Sequence, residues 1–336
     1  SFIGKILNEF DLLSESDDFL SSYASKCDML AGMIKEGAIT AADIERVRAR
    51  NPASFVFDHV FIDEGQDWPA AEIAILRAFF SPARTVIADG VDQSIRGGVA
   101  DWTQGILEPD LRIRRLRRCL RMKSNLASFA NRLARQLGLS NWSVEPNPDT
   151  SGGKVIVVEG SYLRDLALHK RLLMEAAQAM NKPVDLLCCV PPGMVSRDGA
   201  SRYSIPGRAL AQEGFAVWDG AALDVRRDIP RSVEQLRIVQ YDSCRGLEGW
   251  TVFCLGFDEF VEYKRQQRLN AKQASQDLFV TPQEDAWRHA ALWAMIAATR
   301  PMDTLVIEVA SGDGPLITAL RRVASELPDV VQWIHS

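Results

Sequence analysis

The sequence predicts an α/β protein with parallel sheets, and three observations carry that prediction. Short apolar runs alternate along the whole chain with longer segments that have the periodicity of amphipathic helices. The apolar runs are continuous, which is typical of strands that are buried on both faces of a parallel sheet. The chain has 336 residues, enough for two such domains.

The first part of the chain is predicted to be helical before it turns to strands. Residues 1–50 have an acidic, amphipathic pattern, and "TAADIERVRAR" begins with Thr40 as a helix N-cap. "FVFDHVFID" (55–63) is predicted to be a strand, and Pro69 opens the helix "PAAEIAILRAFF". "RTVIADG" (84–90) is predicted to be a second, short strand. These elements form one strand–helix–strand unit.

The second part of the chain repeats the alternation. After the helix "SNLASFANRLARQLG", a stretch rich in turn residues (141–153) is predicted to be a loop. Strands are predicted in "KVIVVEG", "VDLLCCVPP", "FAVWDG", "LRIVQYD", "TVFCLGF" and "TLVIEV". Helices are predicted in "YLRDLALHKRLLMEAAQAM", "YSIPGRALAQEG", "AWRHAALWAMIAAT" and "PLITALRRVASEL". The hydrophilic stretch 262–279 is predicted to be an exposed helix or loop.

Composition limits the classes of protein to which the chain can belong. The net charge is −5, so there is no global basic signal for nucleic acid, although binding depends on local patches. The six cysteines form no CxxC pair, and the four histidines have no metal-ligand spacing. No run approaches the ~20 apolar residues of a membrane span, and the first residues lack a signal-peptide layout. The sequence therefore predicts a cytoplasmic protein without a membrane partner.

Acidic residues follow the first predicted strand at an abrupt boundary. "VFI" is succeeded directly by Asp63 and Glu64, and then by Gln66 and Asp67. In parallel sheets, ligands bind at the carboxyl ends of the strands. An aspartate there can hold Mg²⁺, and a neighbouring glutamate can accept a proton from an attacking water. The alternative is an acidic loop that caps the next helix, with Asp67 as the N-cap.

Five segments, in one order, carry a resemblance to a known family. "VFIDEGQD" resembles the Walker B, or DExx, motif of superfamily 1 helicases of the UvrD/Rep type. "ADGVDQSI" (88–95) resembles the third helicase motif, and "LRRCLRMKSNLASFANRL" resembles the fourth. "SCRGLEGWTVFCLGF" (243–257) and "WAMIAATRPMDTLVI" (293–307) resemble the fifth and the sixth. The resemblance implies two RecA-like domains, the first incomplete, with ATP and Mg²⁺ as cofactors and single-stranded DNA as the partner.

The resemblance also assigns roles to individual residues. The catalytic set is Glu64 as the base, Gln93 as a sensor of the γ-phosphate, and Arg121 and Arg300 as cations that neutralise phosphate charge. Asp63 is the Mg²⁺ ligand. The residues implied to contact nucleotide are Gln66, Asp67, Gly246 and Glu248. The residues implied to contact DNA are Arg96, Trp102 and Arg245.

Two of these arginines also have simpler interpretations. Arg300 fits a cation that stabilises the C-terminal end of a helix through the helix dipole. Arg121 is one of six arginines in the basic run "RIRRLRRCLR", which is equally typical of a solvated face or of a surface that follows phosphates. The sequence leaves these interpretations open.

The chain departs from the family in one major way, because it contains no G-x-x-x-x-G-K-[ST] motif. Either a segment that precedes these residues supplies the phosphate loop, or the domain has lost hydrolysis. We therefore predict a partial first domain at 1–112 and a second domain at 113–336, inactive as an ATPase on their own. The intact protein is predicted to be an ATP-dependent DNA helicase or translocase. The alternatives are a non-catalytic interaction module of a DNA repair or defence complex, and a phosphate-handling enzyme that uses Asp63 and Glu64 as a metal pair.

Overall fold

The computed structural model describes residues 2–13, 19–90, 101–114, 118–164, 166–199, 201–222, 228–271 and 280–336. The chain divides into two compact units, Ser1–Arg114 (unit 1) and Arg115–Ser336 (unit 2). Within the described residues, none of the helices combines the length and the apolar character needed to cross a membrane.

Unit 1 is mainly helical. Its helices are α1 (Phe2–Glu9), α2 (Phe19–Lys35), α3 (Ala41–Arg50), α4 (Pro52–Phe55) and α5 (Ala70–Phe79). The predicted N-cap of α3 is confirmed, because the Thr40 side chain accepts a bond from the Asp43 backbone and Asp43 returns one in a capping box. The strands β1 (Val60–Ile62) and β2 (Thr85–Ile87) pair in parallel, with Phe61 opposite Val86.

One face of the two-stranded sheet of unit 1 belongs to the core and the other does not. The buried cluster contains Ile62 of β1 together with residues of α1, α2 and α5. On the opposite face, Phe61 is 77% exposed and Val86 is 49% exposed. Alternate residues of a strand point to opposite faces, so this pair is the solvent side of the sheet.

Unit 2 contains a seven-stranded sheet in the order β11-β3-β10-β9-β4-β8-β7. Every pairing in this sheet is parallel. Its strands are β3 (Lys154–Glu159), β4 (Leu186–Val190), β7 (Val217–Asp219), β8 (Leu236–Gln240), β9 (Gly249–Cys254), β10 (Pro301–Val309) and β11 (Val331–His335). A separate antiparallel hairpin is formed by β5 (Val195–Asp198) and β6 (Ser201–Ser204).

Helices accompany the sheet of unit 2 in the alternation that the sequence predicts. They are α6 (Ser124–Gln136), α7 (Leu166–Gln178), α8 (Ile205–Gln212), α9 (Phe257–Asn270), α10 (Pro282–Ala298) and α11 (Pro315–Glu326). The internal strand β4 is buried at every position, so both of its faces are covered. The predicted fold class, α/β with parallel sheets, is confirmed.

Two local expectations are wrong, and two features were missed. The strand predicted over 55–63 is shorter, because Phe55 ends the helix α4, which Pro52 opens at its first turn. Asp67 does not cap α5, whose N-cap is Pro69 with no side-chain bond. The sequence analysis also missed the hairpin of β5 and β6 and the edge strand β11, which is only partly buried and has no continuous apolar run.

Candidate functional site

The turn after β1 places two carboxylates at the carboxyl end of the strand. Asp63 is exposed and Glu64 is partly buried. Glu64 has φ 53 and ψ 44, a left-handed conformation that is uncommon for a residue other than glycine. The Asp63 carboxylate accepts a hydrogen bond from the Glu64 backbone N–H at 2.9 Å. The turn therefore holds two acidic side chains side by side at the edge of the sheet.

Gln66 connects this turn to the end of β2. Its side-chain amide donates to the Glu64 carboxylate at 2.7 Å, and its carbonyl oxygen accepts from the Gly90 backbone N–H at 2.7 Å. The Gly65 N–H donates to the Ala88 carbonyl at 2.8 Å, which continues the pairing beyond the two strands. Gln66 is buried, and both of its side-chain hydrogen bonds are partly buried.

Two tryptophans donate hydrogen bonds to backbone carbonyls of the turn. The Trp102 indole N–H donates to the Gly65 carbonyl at 2.8 Å, and the Trp68 indole N–H donates to the Asp63 carbonyl at 3.3 Å. Their rings meet edge to face with centroids 6.0 Å apart. Trp102 is only 5% exposed, and this corrects its predicted role in stacking on DNA, because its indole is a core side chain that supports the turn.

The remaining predicted site residues of unit 1 are Gln93, Arg96 and Asp67. Gln93 and Arg96 lie outside the described residues. Asp67 is buried at 7% exposure in the single 3₁₀ turn Gly65–Asp67.

In unit 2, the segments that resemble the fourth, fifth and sixth motifs meet around Arg121. Its Nε donates to the Glu248 carboxylate at 2.7 Å, and its guanidinium reaches the Thr299 carbonyl at 3.5 Å. The Gly249 N–H donates to the Arg300 carbonyl at 3.2 Å, and this bond joins the segments that resemble the fifth and the sixth motifs. The Arg121 and Glu248 side chains are 34% and 55% exposed, so this ion pair is open to solvent.

Arg300 lies inside unit 2. It is 4% exposed, and its Nε donates to the Ile296 carbonyl at 2.8 Å in the last turn of α10. This contact matches the interpretation of a cation at a helix C-terminus. Its positive charge also helps to lower the pKa of Cys244, although the larger cause is a hydrogen bond from the Cys189 thiol.

The loop before β9 contains the remaining predicted residues. The Leu247 N–H donates to the Cys244 carbonyl at 3.0 Å and closes a turn that includes Arg245. Gly246 is the third of the four residues of this turn and has φ +75, a left-handed value that glycine adopts without strain. The turn presents Glu248 to Arg121.

The sequence analysis missed Arg237, the second residue of β8. Its guanidinium donates to the Glu248 carbonyl at 2.7 Å, so Glu248 is held by Arg121 at its side chain and by Arg237 at its backbone. Burial lowers the pKa of Arg237. The sequence signal for Arg237 is that it is the one charged residue of the strand "LRIVQ".

The described residues of the chain contain no group of three or more His, Cys, Asp or Glu side chains that could hold a metal ion. The turn after β1 offers two neighbouring carboxylates, Asp63 and Glu64. Mg²⁺ is bound by one or two carboxylates, with phosphate oxygens and water completing its shell. The exposed Asp63 carboxylate fits that requirement.

Comparison with known proteins adds little. No protein-family model matches the chain, and no curated protein matches it. Among solved structures, S. cerevisiae Dbp5 L327V bound to RNA and ADP BeF3 is similar to this chain, with 10% sequence identity and a TM-score of 0.22. The match covers 82% of this chain and 59% of that chain, so this chain spans less than two thirds of its length. A likeness this slight supports no assignment of fold or function.

Proposed function

We propose that residues 1–336 form part of the motor core of an ATP-dependent DNA helicase or translocase of superfamily 1. The observation that carries the proposal is the turn after β1. It presents Asp63 and Glu64 at the carboxyl end of a parallel strand and ties Glu64, through Gln66, to the segment after β2. Through these bonds, loss of a phosphate at the end of β1 would shift the segment after β2.

The proposal gives each group of the turn a chemical task. Asp63 would hold Mg²⁺, which supplies charge neutralisation at the phosphates when it is bound. Glu64 would accept the proton of the attacking water. In unit 2, Arg121 would neutralise phosphate charge, and Arg300 would do so only after leaving the Ile296 carbonyl. The phosphate loop would come from polypeptide outside these residues.

The test is ATP hydrolysis by the intact protein, measured with and without single-stranded DNA. Glu64→Gln replaces the carboxylate by an amide of the same shape and so removes the base, and we expect kcat to fall by about 100-fold or more with ATP binding retained. Glu36→Gln is the matched control, since Glu36 is an exposed glutamate at the end of α2. Hydrolysis that is equally fast in Glu64→Gln would exclude Glu64 as the base.

A second candidate is a non-catalytic, helicase-like interaction module. It is favoured by the contacts of the two arginines, because Arg121 is paired with Glu248 and Arg300 is bonded within α10. The same assay separates the candidates. An intact protein that neither binds nor hydrolyses ATP, with or without DNA, would be the module.

A further inference from the structure

Three buried thiols meet on one face of the sheet of unit 2, and we call them the thiol cluster: Cys189, Cys244 and Cys254. Cys189 of β4 lies directly opposite Cys254 of β9 in the parallel register. Cys244 belongs to the segment 241–248, the β8–β9 loop, which connects these two strands. Each of the three residues is no more than 1% exposed. None of them has a task in the proposed ATPase.

Within the thiol cluster, Cys189 and Cys244 are in direct contact. The Cys189 thiol donates a hydrogen bond to the Cys244 sulfur. Cys189 is fixed by the sheet, since its carbonyl accepts from the Leu255 N–H at 3.0 Å and its strand pairs with β8 and with β9. Cys244 lies in the loop, where its N–H donates to the Tyr241 carbonyl at 3.1 Å. The pair therefore joins an internal strand to a loop.

The contact makes the two thiols chemically unequal. The hydrogen bond from Cys189 lowers the pKa of Cys244, and the positive charge of Arg300 lowers it further, against the opposing effect of burial. The pKa of Cys189 is raised, first by the same hydrogen bond and then by burial. Oxidants react with the thiolate form of cysteine. Cys244 is therefore the thiol that an oxidant attacks, and Cys189 is the neighbour that can close a disulfide.

Cys244 is buried, but it lies close to solvent along the chain. Asp242 and Gly246, two residues before and two residues after Cys244, are exposed. Hydrogen peroxide is a small, neutral molecule, and local opening of a loop admits a molecule of this size. The loop is therefore the route by which peroxide reaches the thiol.

The other nearby thiols are less suited to this pairing. Cys188 alternates to the opposite face of β4 and packs in the core there. Burial raises the pKa of Cys254, and its thiol is hydrogen-bonded with the Tyr241 side chain. The geometry therefore favours the pair of Cys189 with Cys244.

The β8–β9 loop is anchored on both sides of Cys244. Before it, the Asp242 carboxylate pairs with the ammonium of Lys264, whose side chain is buried. After it, Glu248 pairs with Arg121. A disulfide bond is about 2.05 Å long, which is shorter than a hydrogen bond between two sulfurs. Because β4 is held in the sheet, closing the bond draws the loop towards β4.

We propose that Cys189 and Cys244 form a reversible disulfide when the protein meets hydrogen peroxide, and that this bond ties the β8–β9 loop to β4. Peroxide oxidises the Cys244 thiol to a sulfenic acid and is reduced to water. The Cys189 thiol then attacks the sulfenic sulfur, the S–S bond forms, and a second water leaves. In total, two thiols and one hydrogen peroxide give one disulfide and two waters, and a dithiol reverses the reaction by exchange. The site goes beyond the proposed ATPase, since it requires neither nucleotide nor the carboxylates after β1.

The experiment exposes the whole 336-residue chain to hydrogen peroxide, with circular dichroism to show that it stays folded. The remaining thiols are then blocked with N-ethylmaleimide in denaturant, and the chain is digested without reduction and mapped by mass spectrometry. We expect one linked pair of peptides, containing Cys189 and Cys244, that is lighter by two hydrogen atoms than the separate thiol peptides. Dithiothreitol is expected to release it, and a non-reducing gel is expected to show a monomer.

Variants assign the role of each thiol. Cys189→Ser is expected to abolish the linked pair and to leave Cys244 as a sulfenic acid that dimedone traps. Cys244→Ser is expected to leave Cys189 as an unoxidised thiol. Cys254→Ser is the matched control, because it removes the third thiol of the cluster and is expected to retain the linked pair.

Mapping of the unmodified sequence decides the proposal even where a variant does not fold. Recovery of both Cys189 and Cys244 as thiols, while the partly exposed Cys119 is oxidised, would overturn it. A disulfide of Cys189 with Cys254 would overturn it as well, since the contact with Cys244 would then not direct the reaction.

Hydrogen exchange measures the effect on the loop. The amides of residues 241–248 are expected to exchange more slowly in the oxidised chain than in the reduced chain, because the bond restrains the loop. Equal exchange in the two forms would show that the bond does not tie the loop to β4. No step of these experiments uses ATP, so failure of the disulfide and failure of the ATPase proposal give different results.

Discussion

At the scale of single residues, the turn after β1 combines backbone strain with several restraining contacts. Glu64 holds φ 53 and ψ 44, which costs on the order of 1 kcal/mol or more for a non-glycine residue. Gln66 holds its carboxylate, and the buried Trp102 holds the carbonyl of the next residue, Gly65. Strain that is held in this way is typical of functional positions, where the surrounding contacts fix a side chain for its task.

Gly65 lies where the turn leaves no room for a side chain. A Cβ at this position would lie 2.5 Å from Ile87 Cγ2 and 3.2 Å from the Trp102 indole nitrogen. We expect Gly65→Ala to lower the free energy of unfolding by about 1–3 kcal/mol, as overpacking does. Urea unfolding measures this. The control is Gly32→Ala in α2, where nothing lies within 4 Å and alanine is expected to stabilise the helix by roughly 0.5–1 kcal/mol. Equal effects at the two positions would contradict the explanation.

The ion pair of Arg121 and Glu248 has a different character. The Arg121 and Glu248 side chains are 34% and 55% exposed. Exposed ion pairs contribute only about 0–1 kcal/mol to stability. We therefore expect Arg121→Ala to change the free energy of unfolding by less than about 1 kcal/mol, measured by urea unfolding. In the intact protein, the same change is expected to lower ATP hydrolysis strongly. A large loss of stability without a loss of hydrolysis would make Arg121 a structural residue.

At the scale of elements, the two-stranded sheet of unit 1 is covered on one face and exposed on the other. Parallel strands are usually covered on both faces, yet Phe61 and Val86 are exposed on one. Strands of three residues are also shorter than most. The sequence predicted β1 and β2, because their apolar runs end in polar residues, but it overestimated the length of β1. Local pattern does not show that Pro52 begins a separate helix before the strand.

Neighbouring residues of β1 test which face supports the fold. Ile62 is 4% exposed and belongs to the core of unit 1, whereas Phe61 is 77% exposed. We expect Ile62→Ala to cost about 2–5 kcal/mol of unfolding free energy and Phe61→Ala to cost less than about 1 kcal/mol. Both variants lose similar strand propensity, so the difference reports burial alone. Similar losses in denaturant unfolding would mean that the outer face is covered in solution.

At the scale of the whole molecule, the sequence predicted the class of fold better than the details of the site. Continuous apolar strands such as β4 indicated a parallel sheet because burial on both faces leaves no polar alternation. The contacts of Arg121 with Glu248, which are 127 residues apart, and the burial of Trp102 were not predictable, since they depend on tertiary packing. Residue type alone did not distinguish an aromatic that supports a turn from one that faces a ligand.

The stability of unit 2 is expected to depend on pH through buried histidines. His169 on α7 is 1% exposed and lies among Tyr162, Phe215 and Phe253, with its Nδ1 2.8 Å from the Tyr162 hydroxyl. Burial lowers the pKa of His169 from 6.5 to about 4. The pKa of the partly buried His289 is also lowered to about 4, first by burial and then by nearby cations. Both side chains are therefore neutral in the folded chain near neutral pH.

The sign of the effect follows from where the protons bind. As the pH falls below about 6.5, the unfolded chain takes up protons on these histidines while the folded chain does not, so stability decreases until the pH approaches about 4. His169 alone accounts for up to about 3 kcal/mol of this loss. Urea unfolding at several pH values from neutral to about 4.5 measures the slope. His169→Leu leaves the Tyr162 hydroxyl without its partner and so lowers stability near neutral pH, but we expect it to flatten the slope. A slope that His169→Leu leaves unchanged would show that other groups carry the pH dependence.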